Sequence, residues 1–337
     1  MPAELLPAVT NPSGIIIEPC PAALVVPALE LLYQDFDLDQ RQARVQELLS
    51  RAAAGRLSFE NLMIAHTGAR QNPQLCGVVF AAVQPGQIAL LEQPAADSQH
   101  SPTGPQREAL LDRLLQALAL QLDRQGILFA QALRHPVEVA AGQRLDRNGF
   151  HSQGDMLWMT RTVTNLPQDL PAQILSAANA AQPLQMVRYL PNLHDRFAAL
   201  VEATYQGSLD CPQLAAVRTG HQALQAHQTV GTGEPHLWRL YALGGQDVAV
   251  LLLAAQPDQA AWEIVYVGVT PPARGQGTAR RAIIAALLEA RAAGCEQVDL
   301  ATLDANIYAN KVYRSMGFEE TSRLTVHLRL RPSVKIP

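Results

Sequence analysis

Val267 to Arg281 reads V-G-V-T-P-P-A-R-G-Q-G-T-A-R-R. An apolar run ends at two prolines, and an arginine and two glycines then lead into an alanine-rich stretch. Trp262–Val269 has the aromatic and β-branched content of a strand. Thr278–Ala293 sets Ala279, Ala282, Ile283, Ala286, Leu287 and Ala290 on one helical face, and Gly294 closes it. The turn between them leaves the first amides of the helix without an intrahelical acceptor. Its glycines let an anion come close to the backbone, and the helix dipole adds partial positive charge. Such a strand–turn–helix is suited to hold a pyrophosphate. No lysine follows Gly277, so it is not a Walker A loop, and Gly275-x-Gly277-x-x-Arg280 lacks the third glycine of a dinucleotide fingerprint. A plain turn without a ligand is the competing reading of these residues alone.

The flanking elements repeat. In the second half, helix Asn192–Tyr205, strands His236–Leu243 and Asp247–Ala255, and a strand at Cys295–Thr302 surround the quoted stretch. In the first half, strands at Gly14–Glu18, Asn61–His66, Gly77–Val83 and Gln87–Leu91 come before a polar loop at Pro94–Gly104. A helix at Gln106–Arg124 follows, with leucines at 110, 111, 114, 115, 118 and 122, then a strand at Ile127–Leu133. Laying Gly126 on Gly294, a shift of 294 − 126 = 168, puts Gly149 on Gly317 and Phe150 on Phe318. Strand-like tails follow at Asp155–Arg161 and Ser322–Leu330. The order and spacing predict a duplicated domain, residues 1–165 and 185–337, joined by a linker at 166–184 rich in Pro, Gln and Ala.

The chain has 337 residues and a formal net charge of −4 with both signs scattered, which argues against the basic patch that nucleic-acid binding needs. Cys20, Cys76, Cys211 and Cys295 are far apart and form no metal or disulfide pattern, so reduced thiols and no metal are expected. No apolar run reaches the roughly 18 residues that span a bilayer, and the N-terminus has no signal-peptide pattern. A cytoplasmic protein that touches neither membrane nor nucleic acid is the expectation.

Val269 to Ala279, read as V-x-P-x-x-R-G-x-G-x-A, resembles the acetyl-CoA motif of the GNAT superfamily of N-acetyltransferases. Asn306 to Phe318, N-I-Y-A-N-K-V-Y-R-S-M-G-F, resembles its second signature. The likeness is strong from Asp247 to Leu330 and holds only in outline before that, a tandem arrangement similar to that of mycothiol synthase. It implies a mixed α+β fold of two tandem domains, each a twisted, mostly antiparallel sheet flanked by helices. Acetyl-CoA is the implied co-substrate, with its pyrophosphate on the amides of Arg274, Gly275, Gln276, Gly277, Thr278 and Ala279. The strand edge at Val267 and Val269, freed by a bulge in the family, would pair with the pantetheine arm. Val269 N–H would also meet the oxyanion. Asn306 and Ala309 would lie on the pantetheine side, and Asn306 equally reads as a helix N-cap.

By the same likeness Tyr313 is the general acid for the departing thiolate or, alternatively, a packing tyrosine. Glu263 is the base for the amine or a solvated strand-edge glutamate. Strand alternation places Glu263, Val265 and Val267 on one face, with Ile264 and Tyr266 on the other. Thr204–Pro212 either lines the acceptor pocket or is a plain loop. Cys211 lacks a recognisable nucleophile partner, and His227 is a substrate contact, a second base or a surface histidine. The implied acceptor is a small-molecule amine, and the chain a monomer or homodimer.

The shift of 168 puts Gln106 under Arg274, Arg107 under Gly275, Ala109 under Gly277, Leu111 under Ala279, Glu138 under Asn306 and Leu145 under Tyr313. Glu108 then stands where phosphate would lie. The first half should neither bind CoA well nor catalyse. It would help form the acceptor site or be purely structural. A non-catalytic acyl-CoA-binding or sensing module is the alternative for the whole chain.

Overall fold

The structure, a computed structural model, describes residues 9–10, 14–68, 73–167, 170, 184–210, 212–215, 217–233 and 235–332. Cys211 and most of the 166–184 linker lie outside these. Contacts divide the chain into two compact units: Met1–Ser152 with His327–Val334, and Gln153–Val326.

Unit 1 contains β1 (Val9–Thr10), β2 (Ile16–Pro19), α1 (Val25–Leu32), α2 (Leu38–Ala53), β3 (Leu62–Thr67), β4 (Gln74–Gln84), β5 (Ile88–Leu91), β6 (Ala95–Ala96), α3 (Gly104–Arg124), β7 (Phe129–Arg134) and α4 (Val139–Arg147). Its strands lie in the order β1-β2-β3-β4-β5-β7. Alternation in β3 explains the two layers of core. Met63 and Ala65 pack under the leucine face of α3, while Leu62 and Ile64 pack under α1 and α2.

The first half's tail, β8 (His151–Thr162), enters unit 2. That unit continues with β9 (Gln185–Arg188), α5 (His194–Tyr205), α6 (Pro212–Ala215), α7 (Gly220–His227), β10 (Arg239–Leu243), β11 (Gln246–Gln256), β12 (Ala261–Val269), α8 (Thr278–Ala292), β13 (Gln297–Leu303), α9 (Ile307–Ser315) and β14 (Glu319–Leu330). The strand order is β14-β8-β13-β12-β11-β10-β9. The compact units therefore depart from the boundaries expected from sequence. β8 pairs antiparallel with β13, Met159 opposite Leu300, and the end of β14 from His327 groups with unit 1. The reason is burial: Leu157 and Met159 fill the core beneath α8 together with Leu300 and Ile283. α5 and α7 cover the other face over Val250, Leu252 and Trp238.

Among the described residues Cys20, Cys76 and Cys295 are free thiols, and no helix is long and apolar enough to cross a membrane.

Candidate active site

The turn begins where β12 ends. A short 3-10 turn at Pro271–Ala273 leads to Arg274 in an extended conformation. Gly275 and Gly277 follow at φ 75° and 73°, a region that side chains with a Cβ occupy at a cost. Gly277 is the N-cap of α8. Of the six amides expected to form the cradle, that of Arg274 is already spent on Pro271 O at 3.3 Å. The five from Gly275 to Ala279 donate to no described residue. Arg274 contributes instead through its side chain. The guanidinium donates to Val269 O (3.1 Å), Thr204 O (2.9 Å) and Gly207 O (3.2 Å), tying the turn to the end of α5. Arg280 donates to Ser315 Oγ at 2.7 Å, joining the start of α8 to the end of α9.

β12 is bulged. Tyr266 lies opposite Leu252 and Ile264 opposite Leu253, so Val265 is the extra residue. On the other side β12 runs parallel to β13, and among the described residues that ladder ends at Ile264 and Leu300. Beyond it the two strands part. Thr270 N donates to Val248 O (2.9 Å), so Val269 and Ala249 form a non-hydrogen-bonded antiparallel pair. The peptide groups of Val269, and of Val267 two residues earlier, therefore point away from β11 into the opening. Val269 O is taken by Arg274, and its N–H remains directed at the gap.

The bulge also corrects the expected facing. Ile264, Val267 and Val269 all lie against the α8 core. Tyr266 lies against the α5 core, on the face shared with Glu263 rather than the opposite one. A bulge reverses the alternation of every residue after it. There the Tyr266 hydroxyl donates to Thr204 Oγ1 (2.7 Å), whose own proton is used on Val201 O (2.6 Å). Gly268 makes this crossing possible: a Cβ there would collide with Thr204 Oγ1.

Tyr313 projects from α9 into the same region. It is 7 % exposed, and its ring meets Phe318 edge-on at 5.9 Å. Its hydroxyl has no hydrogen-bond partner among the described residues. Burial, with the charge of Asp210 and the neighbouring Tyr266, pushes this phenol above its ordinary range, so it keeps its proton. Tyr266 is committed to Thr204, whereas Tyr313 is free to donate. Asn306 caps α9 by accepting from Ala309 N (3.4 Å), so the capping reading of Asn306 holds. Asn310, unremarked in the sequence, ties the turn before α9 by donating to Leu303 O, Asp304 O and Asn306 O.

Glu263 stands at the paired end of β12, in register with Asp299. It is half-buried and accepts from Gln256 Nε2 at 2.9 Å. With Asp299, Gln256, Gln297, Thr160 and Trp158 it lines a cavity of about 350 Å³. Burial raises its carboxyl above the ordinary range, and the nearby Asp299 adds to the rise. His227 is not a surface group. Its ring stacks on Tyr266 at 5.6 Å, and burial, helped by Arg218, pushes its pKa down to about 3, leaving it neutral.

Residues 202–318 match the model of the acetyltransferase (GNAT) family. The chain carries a GNAT acetyltransferase domain. Its fold is similar along nearly its whole length to a GCN5-related N-acetyltransferase from Sphaerobacter thermophilus. That likeness has 18 % identity, covers 97 % of this chain and 99 % of that one, and has a TM-score of 0.60. It also resembles the GCN5-related glucosamine N-acetyltransferase region of a fungal multi-domain GH3 β-N-acetylglucosaminidase. There the identity is 12 %, the coverage 96 % of this chain and 38 % of that one, and the TM-score 0.57. No curated protein matches the sequence. At these identities the structural likenesses speak for the fold alone.

Unit 1 also leads through a turn into a long helix, α3, but Pro102 and Pro105 bring no N–H to that turn. Asp97 Oδ1 accepts from Gln99 N (2.7 Å) and His100 N (2.6 Å) ahead of α3. Although burial works the other way, the amides of His100 and Gln99 hold this carboxyl below its usual range. Arg107 closes over the same loop by donating to Ala96 O (2.8 Å) and Ser101 Oγ (3.2 Å). Asp97 thus closes its own loop over Gln99 and His100 and does not reach the first amides of α3, which begins at Gly104. Glu108 sits within α3 and is paired with Arg144 (2.7 Å) and Arg147 (3.0 Å). α3 begins at Gly104, so the fixed shift of 168 compares a loop with the inside of a helix. Leu145, in the place of Tyr313, is buried in the core.

Proposed function

We propose that the chain transfers the acetyl group of acetyl-CoA to the primary amine of a small-molecule acceptor. What supports this most is the open edge of β12 at Val267 and Val269, between the unspent amides of Gly275–Ala279 and the phenol of Tyr313. The turn would hold the pyrophosphate, and the strand edge would pair with the amide groups of the pantetheine arm as a peptide pairs with a sheet edge. Glu263 stands at the paired end of β12, away from the open edge, and takes one proton from the acceptor's ammonium only through a chain of waters along the strand. The nitrogen lone pair then forms the C–N bond while the carbonyl electron pair moves onto oxygen, where Val269 N–H meets it. Tyr313 donates its phenolic proton to sulfur as the C–S bond breaks and sulfur keeps the bonding pair. The phenolate recovers a proton from the new amide nitrogen through water, and Glu263 releases its own to solvent. The products are the acetamide, CoA thiol and one proton.

The test is release of CoA thiol from acetyl-CoA across an amine library. Amine-dependent release supports the enzyme. Acetyl-CoA binding with no release from any amine would fit a sensing module instead. Glu263→Gln is expected to lower kcat/KM about 10²-fold, the low end for general base catalysis because a water intervenes. The base acts ionised and its pKa is raised, so wild-type activity should fall as pH drops through a point above the ordinary glutamate range. The variant should lose that acid limb. An unchanged pH profile in the variant would remove Glu263 from the reaction.

A further inference from the structure

Asp210 lies in the loop after α5 and is bound to the far lip of the opening. Asp304 N donates to Asp155 O (2.8 Å), so the peptide groups of Leu303 face away from β8 and towards β12. Leu303 N donates to Asp210 Oδ1 (3.3 Å), and Leu303 O accepts from Asn310. Asp210 therefore occupies the edge of β13 that β12 abandons, across from Val267 and Val269. Its side chain is exposed even though protein surrounds it closely enough for burial to raise its pKa. A carboxylate on the wall of a narrow cleft fits both observations. Its other contact is Asp210 N to Ser208 Oγ (3.2 Å). Among the described residues Oδ2 has no partner and no cation pairs with the carboxylate. Its charge reaches both Tyr313 and Tyr266, which Glu263, at the paired end of the strands, does not.

We propose that Asp210 receives the acceptor's ammonium group through its free Oδ2 and so selects amines that have no carboxylate beside the nitrogen. This rests on the acyl-transfer reading of the same opening. A cationic amine placed between Oδ2 and the β12 edge meets the carboxylate's negative charge at short range. An α-amino acid would bring its own carboxylate against Asp210, which is unfavourable at short range. Tyr205 and Tyr266, 6.0 Å apart edge-on, give the apolar part of such an amine a surface to lie on.

The experiment uses matched pairs that differ only in that carboxylate, tyramine with tyrosine and agmatine with arginine. Binding to the CoA-loaded full chain is followed by calorimetry, and turnover with acetyl-CoA by thiol release. Tyramine or agmatine should bind, and be acetylated, at least about tenfold better than its partner. Asp210→Asn keeps the acceptor oxygen for Leu303 N. It should raise the amine Kd and KM about tenfold or more with kcat within about threefold and CoA affinity unchanged. Asp210→Glu should restore part of the loss. Amine binding that depends on Asp210 without any acetylation would sustain this inference and overturn the enzyme reading. Acetylation with a KM indifferent to Asp210→Asn would do the reverse. Failure of both carboxylate-free amines to bind, or preference for the amino acids, would overturn the inference.

Discussion

Tyr313→Phe is expected to cut turnover by about 10²–10⁴, the usual contribution of a positioned general acid, with little change in acetyl-CoA affinity. The phenol keeps its proton because it is buried and faces the charge of Asp210, and its hydroxyl has no competing partner among the described residues. Phenylalanine preserves the packing against Phe318 and removes only the proton donor. Single-turnover kinetics separate this from slow product release. A loss under about threefold would mean that water protonates the thiolate and that Tyr313 only packs. Leu145→Tyr in unit 1 is the control and should gain nothing, since Leu145 is buried in the core and the turn before α3 loses two amides to Pro102 and Pro105.

Gly277→Val should abolish measurable CoA binding. At φ 73° a β-branched residue is strained by about 1–3 kcal/mol, and its side chain would stand among the amides that must approach the pyrophosphate. Thermal melting should show a modest loss of stability and a retained cooperative transition. Affinity kept within about twofold, roughly 0.4 kcal/mol, would take the anion site away from this turn.

The elements next to the turn were legible because their patterns are local. The strand read at Trp262–Val269 is Ala261–Val269, and the helix read at Thr278–Ala293 ends one residue earlier. α1 and α2 went unread: Pro27 stands in the first turn of α1, and in α2 the helical spacing of Val45, Leu48, Leu49 and Ala52 was passed over because the stretch around them is polar. The bulge left no mark because one extra residue in an uninterrupted apolar run changes facing without changing composition. It is the bulge that carries Tyr266 onto the face of Glu263. The destination of β8 was hidden for a related reason. An apolar strand tail does not say which sheet edge it completes, and only the pairing of Met159 with Leu300 does. Asp210 and Arg274 owe their places to bonds with residues far along the chain, Leu303 and Thr204. The glycines and Tyr313 stand out by spacing, whereas a lone loop aspartate does not.

The division of labour between the units meets its most direct test in a calorimetric titration of the full chain with CoA. Five open amides in the turn of unit 2, against a turn in unit 1 to which Pro102 and Pro105 bring no N–H and over which Arg107 folds, call for one CoA per chain. Two equivalent sites per chain, or a single site that survives Gly277→Val, would contradict it.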